Sequence, residues 1–586
     1  MPNTLIDEAQ TMPPEQLAWR DYCREAVRKF VTNAVVIDNQ PVCERSSVQK
    51  IIGPVTAVSI EDGFGDAPEA EATLPSGAGV SEGEVQDDND DYHELNIREI
   101  SDAFAEHEIS CGFLLPDDND TNEESILKRA LAAAIPADIV VIDWYLRNSD
   151  PVLTKKILKG IAAKDSSEKG RLRLICVYTG QTNAEAVFDL AVKELEDNGL
   201  HFTGKAKGNY RRGAHHSLLV ISKKDVACRD LPEKLLDAMT GLANGLLPAF
   251  ALASVAAIRR NIHHIITQFP ASLDAAFVAN RLITDPPGDV AELMRELFVS
   301  QCDTALGLSR VIDKHLEKYS IKLWLDCQVL GKCSFAYTEE SKQELVPIDG
   351  ILLGSLLQNG LTNGKVHIEN IGEKNFKEEK RYDISKVLHG DEEKSLNGEL
   401  AFARKVALKR EFFGTTKLQS PEGWLPSLTL GTILSVQSDK VEEIGFPYLY
   451  CITPACDTLR LKDKVRNFLF LGLVEHTHPS AQKKFDVVII DDGDVRKQLY
   501  IDPRPFNVRT FQFKGSTETG RVQARQDDGV NGKLFFDTAT EPQDNLLWLG
   551  EVRKNRANRD MAELNRAWLR FGINDSEYLR LAGKKN

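Results

Sequence analysis

The stretch Ala137–Leu146 reads ADIVVIDWYL, a short run of β-branched apolar residues that stops at a carboxylate. Pro136 precedes this run, and the turn-forming residues 148–151 follow it. A continuous apolar run bounded by turn signals is typical of a strand buried in a parallel sheet. Ligands of open α/β sheets bind just outside the carboxyl ends of the strands. The pattern therefore predicts that Asp143 lies where such a sheet carries out its chemistry.

Four other strands are predicted in the same part of the chain, and helical patterns separate most of them. The predicted strands cover residues 34–37, 109–115, 172–180 and 217–224, and the predicted helices cover residues 122–134, 152–163 and 183–198. Strands that alternate with helices indicate a parallel sheet with right-handed crossovers. We therefore predict an α/β fold for residues 1–230, with a five-stranded, doubly wound parallel sheet. The basic stretch from Lys205 to Arg212 is predicted to be a loop.

The carboxyl ends of these strands carry acidic, hydroxyl and lysine side chains. They are Asp38 and Asn39 after the first strand, Asp143 after the third, Thr179 and then Gly180 at the fourth, and Lys223 at the fifth. In a parallel sheet these ends meet at one edge, where ligands bind.

This order of residues resembles the receiver domain of two-component response regulators, over about residues 32–226. The resemblance implies that Asp143 accepts a phosphoryl group, that Asp38 and Asp143 help to hold Mg²⁺, and that Thr179 and Lys223 contact the phosphate. These roles agree with the chemistry, because a carboxylate nucleophile needs a cation to offset the charge of the incoming phosphate. Lysine supplies a mobile point charge, a hydroxyl can bond a phosphate oxygen, and the small Gly180 leaves room for the phosphate. Asn39 departs from the family, which has a second acidic residue there, and Lys223 is not followed by the usual proline. Two alternatives follow: a working phosphoacceptor, or a pseudo-receiver that binds a partner without being phosphorylated.

Residues 44–108 interrupt the α/β pattern with an acidic segment. From Glu61 to Ile100, Arg98 is the only lysine or arginine. A segment of this composition buries too little apolar surface to offset the entropy of ordering, so we predict a flexible insertion. It is either a solvated loop without a function of its own or an autoinhibitory or partner-docking segment.

The predicted secondary structure of the rest of the chain changes twice. Residues 231–345 are predicted to be a helical region and residues 346–420 a mixed α/β linker region. Residues 421–586 contain apolar runs separated by turn residues, which predicts a β-rich, barrel-like C-terminal domain that ends in helices.

Cysteine and histidine pairs in that domain suggest a zinc site. They are Cys451 and Cys456, followed by His476 and His478. Zinc in proteins prefers four such ligands in a tetrahedron. The spacing between the cysteines is longer than in a usual zinc knuckle, so buried structural cysteines and surface histidines are the competing interpretation.

The overall composition of the chain argues against several classes of function. The formal net charge of −16 argues against a general nucleic-acid or membrane-surface role. The ten scattered cysteines suit a reducing compartment, and the polar, acidic N-terminus does not have the pattern of a signal peptide. The apolar segment Leu246–Ile258 is too short to span a bilayer. We therefore expect a cytoplasmic protein without a membrane segment.

Taken together, these patterns predict a signalling regulator or adaptor rather than an enzyme. Receiver-like proteins with large, unrecognised C-terminal regions resemble components encoded beside histidine-kinase-type ATPases in prokaryotic conflict or phage-defence islands. The expected partner is therefore a histidine-kinase-like ATPase or another protein, and the sequence leaves a homo-oligomer open. The alternative is a metal-dependent effector enzyme, a hydrolase or nuclease, in the C-terminal domain and gated by the receiver.

Overall fold

The computed structural model describes residues 12–42, 95–116, 122–147, 150–285, 288–328, 330–331, 333–339, 342–368, 372–376, 381–413, 424–475, 487–490, 495–527 and 532–569. The chain divides into two compact units. The first comprises Met1–Asn261 with Leu306–Cys327, and the second comprises Ile262–Ala305 with Gln328–Asn586.

The helices of the described residues, in chain order, are α1 (Pro14–Phe30), α2 (Ile97–Glu106), α3 (Glu123–Ala134), α4 (Val152–Ser167), α5 (Ala184–Asp197), α6 (Leu231–Thr240), α7 (Leu246–Arg260), α8 (Ile262–Thr267), α9 (Asp274–Ile283), α10 (Gly288–Leu308), α11 (Val311–His315), α12 (Lys318–Asp326), α13 (Gly350–Asn359), α14 (Arg381–His389), α15 (Glu392–Ala407), α16 (Val441–Ile444) and α17 (Lys554–Trp568). Among these helices, none is both long enough and apolar enough to cross a bilayer.

The strands, in chain order, are β1 (Asn33–Ile37), β2 (Pro41–Val42), β3 (Leu95–Asn96), β4 (Ser110–Leu114), β5 (Ile139–Ile142), β6 (Arg173–Thr179), β7 (Phe202–Lys207), β8 (Tyr210–Gly213), β9 (His216–Ser222), β10 (Ser334–Glu339), β11 (Lys342–Pro347), β12 (Lys365–Ile368), β13 (Gly372–Asn375), β14 (Leu408–Glu411), β15 (Thr432–Ser435), β16 (Tyr448–Cys451), β17 (Val465–Glu475), β18 (Val487–Ile490), β19 (Arg496–Ile501), β20 (Val508–Lys514), β21 (Arg525–Gln526), β22 (Leu534–Asp537) and β23 (Asn545–Val552).

The first unit contains a seven-stranded sheet in the order β4-β1-β5-β6-β9-β8-β7. The first five strands are parallel, as predicted, and Val35 on β1 faces Val140 on β5 in register. The predicted number of five strands is wrong, because the basic stretch expected to be a loop forms the antiparallel hairpin β7–β8. Its two-residue turn is Gly208-Asn209, where Gly208 has a φ of 55°. A Gly-Asn pair between two strands is a hairpin signal, and the lysines and arginines around it obscured that signal.

Each face of this sheet is covered by helices. Helices α3, α4 and α5 pack on one face and share a core with β-strand residues such as Val140 and Val177. Helices α1, α2, α6 and α7 contribute to the core on the other face, which includes Val141 and Tyr178. Helices α6 and α7, which we expected in a separate helical region from residue 231, are therefore part of the first unit. Neighbouring residues of one strand enter opposite cores because strand side chains alternate.

Part of the predicted flexible insertion is ordered. Residues 43–94 lie outside the described residues, but from Leu95 onward the chain forms β3 and then α2. The helix begins at an N-cap, where the Asn96 side chain accepts a hydrogen bond from the backbone N–H of Glu99. Ile100 and Phe104 are buried on its inner face. The prediction of flexibility up to residue 108 is wrong for this part, because it gave the acidic composition more weight than the helical spacing of the apolar residues.

The second unit contains a ten-stranded antiparallel sheet. Its strands follow the order β18-β19-β17-β16-β15-β23-β22-β21, with β14 paired to β23 and β20 paired to β17. Adjacent residues enter two different cores: Leu434 and Trp548 lie in one, and Ile433 and Leu549 in the other. A β-rich C-terminal region is therefore present. Its pairings among the described strands form an open path, so the predicted barrel is not confirmed.

Candidate functional site

The carboxyl edge of the parallel strands in the first unit brings the predicted site residues together. Asp143 directly follows β5, and its backbone N–H donates to the carbonyl of Ile37 at the end of β1 (2.9 Å). Asp38 is the next residue after Ile37, so the two carboxylates follow neighbouring strands. On the other side, the backbone N–H of Lys223 donates to the carbonyl of Thr179 (2.8 Å). The parallel ladder therefore aligns all four residues at one edge of the sheet.

The Lys223 ammonium connects the two carboxylates. Its Nζ lies 2.8 Å from Asp38 Oδ2 and 3.4 Å from Asp143 Oδ2. Asp38 is 1% exposed, Asp143 6% and Lys223 9%, so the three charges interact with little screening by water. A buried charge is tolerated only when it is paired and hydrogen-bonded, which this arrangement provides for both carboxylates.

The second oxygen of each carboxylate is held by backbone. Asp38 Oδ1 accepts a hydrogen bond from the N–H of Gln40 (2.9 Å), and Asp143 Oδ1 accepts one from the N–H of Trp144 (2.7 Å). The buried Thr154 hydroxyl, in the first turn of α4, donates to the carbonyl of Asp143 (2.9 Å). Thr154 is not among the residues predicted from the sequence, although a threonine early in the helix after the Asp143 strand is a visible signal. These bonds fix the backbone and the side chain of Asp143.

Burial and charge act against each other on the pKa values of the site. Burial raises the pKa of Asp143 to about 6; the attraction of Lys223 opposes this rise and the nearby Asp38 carboxylate adds to it. Burial alone would lower the pKa of Lys223, but Asp143 and Asp38 outweigh it and the pKa rises above its usual value. At neutral pH the site therefore holds an ionised Asp143 beside a charged Lys223, which is the state that a carboxylate nucleophile needs.

Thr179 ends β6 at the same edge. The residue is 1% exposed, and its hydroxyl oxygen accepts a hydrogen bond from the N–H of Gln181 (3.2 Å). Because this bond uses an acceptor lone pair, the hydroxyl proton can still be donated to an anion. The structure thus places Thr179 beside Lys223 through the backbone, as the sequence predicted.

The residues at this edge fit a hard divalent cation. Asn39 Oδ1 is buried and has no hydrogen-bond partner among the described residues. An amide oxygen and carboxylate oxygens are ligands that Mg²⁺ accepts, so Asn39 offers an oxygen beside Asp38 although it lacks a charge. Within the described parts of the chain there is no group of three or more His, Cys, Asp or Glu residues arranged to hold a metal. The magnesium site stays a prediction.

The zinc hypothesis also stays a prediction, because His476 and His478 lie outside the described residues. Cys451 on β16 is fully buried in an apolar core, and burial raises the pKa of its thiol to about 12. Zinc binds the thiolate, so this environment does not favour a ligand role. Cys456 is exposed, and its Sγ donates to Asp457 Oδ1 (3.4 Å).

Comparison with known proteins agrees with the geometry of this edge. Residues 30–229 match the model of a family described as the response receiver domain. Searches of curated proteins and of solved structures gave no match. The matched range covers the five parallel strands and all four residues predicted from the strand ends. The protein therefore carries a receiver-like domain over residues 30–229, followed by a large region that the family does not cover.

Proposed function

We propose that this protein is a signalling regulator whose receiver-like domain accepts a phosphoryl group on Asp143. The observation that supports this proposal is the position of the Lys223 ammonium, within hydrogen-bonding distance of both Asp38 and Asp143 at the carboxyl edge of the sheet. A receiver domain indicates a role in signalling. The choice of Asp143 over Asp38 rests on its position, because Asp143 follows β5, the middle one of the five parallel strands.

The proposed step is a displacement at phosphorus. An oxygen of the Asp143 carboxylate forms the new bond to phosphorus, and the bond between phosphorus and the donor breaks. The leaving group keeps the electron pair of that bond, and the product is an acyl phosphate. Lys223 offsets the added negative charge, and the Thr179 hydroxyl donates to a phosphate oxygen. Asp38, Asn39 and Asp143 would hold Mg²⁺, which supplies further positive charge beside the phosphoryl oxygens when bound.

The donor belongs to the same proposal. We take it to be a histidine-kinase-like ATPase, because a phosphohistidine carries a phosphoryl group that a carboxylate can accept. The matched receiver family fits a protein partner of this kind. A role in prokaryotic phage defence is the finer part of the proposal and rests on analogy with receiver-like proteins that have large, unrecognised C-terminal regions.

Beryllofluoride, which mimics a phosphoryl group on a carboxylate, tests the proposal. We expect beryllofluoride with Mg²⁺ to raise the melting temperature of the full-length protein by several degrees, since a ligand at 100 times its Kd adds about 2.7 kcal/mol of stability. The same addition should leave Asp143→Asn unchanged.

Asp138→Asn is the matched control for that experiment. Asp138 is also a buried carboxylate, 3% exposed, but it lies at the opposite end of β5 and accepts hydrogen bonds from Thr32. Its variant should melt at a lower temperature and still respond to beryllofluoride. A wild-type protein that does not respond would contradict the phosphoacceptor proposal and favour a pseudo-receiver that binds its partner unphosphorylated.

A further inference from the structure

Lys223 begins the segment that connects β9 to α6, and hydrogen bonds hold this segment at its start and near its middle. At its start, the N–H of Lys223 donates to the Thr179 carbonyl (2.8 Å). A turn follows, in which the N–H of Val226 donates to the carbonyl of Ser222 (3.3 Å). At the end of this turn, the carbonyl of Val226 accepts a hydrogen bond from the Tyr178 hydroxyl (2.8 Å). The turn that carries Lys223 therefore depends on a side chain from the neighbouring strand.

Tyr178 contacts both the turn and the lysine. Its ring centroid lies 5.8 Å from Lys223 Nζ, within range of a cation–π attraction. The residue is only 2% exposed, and burial raises the pKa of its phenol, so the hydroxyl stays protonated and donates. In sequence, Tyr178 directly precedes Thr179. One side chain thus joins the strand that ends in the hydroxyl to the turn that begins with the cation.

We propose that Tyr178 is a positioning residue that holds the Lys223 ammonium between Asp38 and Asp143. A lysine side chain loses rotamer freedom when it is fixed, so a lysine on a mobile turn would populate this position less often. The Tyr178 hydroxyl fixes the turn, and its ring restricts the ammonium. This proposal rests on the proposed function only for its consequence, namely that the positioned cation binds the phosphoryl group.

Tyr178→Phe is the primary test, because it keeps the ring and removes the hydroxyl. The Val226 carbonyl then loses its buried partner, which releases the turn. We expect the Kd for beryllofluoride, measured with Mg²⁺ on the full-length protein, to rise about tenfold, since a factor of ten corresponds to the loss of one buried hydrogen bond.

Tyr210→Phe is the matched control. The Tyr210 hydroxyl also donates to a backbone carbonyl in the first unit, that of Ala238 (3.1 Å), but Tyr210 lies on β8 and pairs with Leu219 of β9 rather than with the end of that strand. Both variants should lose a similar amount of stability. Only Tyr178→Phe should weaken beryllofluoride binding, whereas equal binding losses in the two variants would mean that Tyr178 has a merely structural role.

A second readout observes Lys223 directly. In protein labelled with ¹³C at the lysine ε-carbon, the Lys223 signal is identified by its absence from Lys223→Met. The Tyr178 ring should shift this signal upfield, and the shift should shrink in Tyr178→Phe and stay unchanged in Tyr210→Phe. An unchanged Lys223 signal in Tyr178→Phe would overturn the positioning proposal.

The two proposals fail in different ways. If wild-type protein does not bind beryllofluoride but Tyr178→Phe still moves the Lys223 signal, the phosphoacceptor proposal fails and the positioning proposal holds. If wild type and Tyr178→Phe bind beryllofluoride equally and the signal does not move, the positioning proposal fails and the phosphoacceptor proposal holds.

Discussion

Asp143 combines two demands that oppose each other. A nucleophilic carboxylate has to be ionised, yet its burial at the end of β5 disfavours the charged form and raises its pKa to about 6. Lys223 and the N–H of Trp144 offset part of this cost. A site that keeps a buried carboxylate ionised lowers the stability of the fold, and the ionised group is what makes the site reactive.

The buried Asp143 carboxyl makes the stability of the protein depend on pH. The folded-state pKa lies above the unfolded value of about 3.9, so the folded state binds more protons between pH 4 and pH 6, and stability falls as pH rises through that range. Asp143→Asn removes this loss. We expect its first unit to gain about 1–2 kcal/mol at pH 7.5 and little at pH 4 in denaturant unfolding. A loss of stability at pH 7.5 would contradict this account.

The buried His216 also makes the stability of the protein depend on pH. This side chain is buried against the ring of Phe202, and its Nε2 has no hydrogen-bond partner among the described residues. Burial lowers its pKa to about 4, and His215 and His201 add to the effect. The unfolded chain therefore takes up a proton that the folded chain does not, and stability is full above pH 6.5 and declines toward pH 4.

His216→Asn should flatten that decline. We expect the difference in unfolding free energy between pH 7 and pH 4 to shrink by about 2 kcal/mol relative to wild type. The exposed neighbour His215 provides the control, since His215→Asn should change this difference much less. Equal pH profiles for wild type and His216→Asn would refute the assignment.

Local sequence patterns were enough to predict some secondary-structure elements and not others. The five parallel strands were predictable because each is a short apolar run next to a turn signal. The hairpin β7–β8 was missed because its exposed strand β7 carries polar residues, so its apolar alternation is weak. Helix α2 was missed because the acidic sequence before it dominated the composition of the whole segment.

Whether α2 contributes to the stability of the folded core can be tested at its N-cap. The Asn96 side chain caps α2, and the Asn183 side chain caps α5 by accepting a hydrogen bond from the N–H of Ala186 (3.1 Å). Asn96→Ala and Asn183→Ala should each cost about 1 kcal/mol of unfolding free energy, because each leaves a helix N–H without its partner. A cost near zero for Asn96→Ala alone would mean that α2 does not contribute to the folded core.

At the scale of the whole molecule, the chain consists of two compact units, each with its own cores. The receiver-like domain accounts for most of the first unit, and the ten-stranded sheet lies in the second. Separate cores favour separate unfolding transitions, because cooperativity requires shared contacts.

The division into two units predicts how the protein unfolds on heating. We expect differential scanning calorimetry to resolve two transitions, and beryllofluoride with Mg²⁺ to raise only the one that belongs to the first unit. Asp143→Asn should shift the same transition, which identifies it. A single transition that moves as a whole would show that the two units unfold together.

The α/β alternation and the order of the polar residues at the strand ends can be read from the sequence alone. Both are local properties: an apolar run reads as a strand, and the residue after it lies at the edge. Three features needed the tertiary structure: Lys223 lies between Asp38 and Asp143, the buried Asn39 oxygen has no hydrogen-bond partner among the described residues, and Tyr178 holds the turn after Lys223. Lys223 and Asp38 are 185 residues apart, and their contact depends on which helices and strands pack around them. No local pattern encodes that packing, because side-chain burial and rotamers are set by residues distant in the chain.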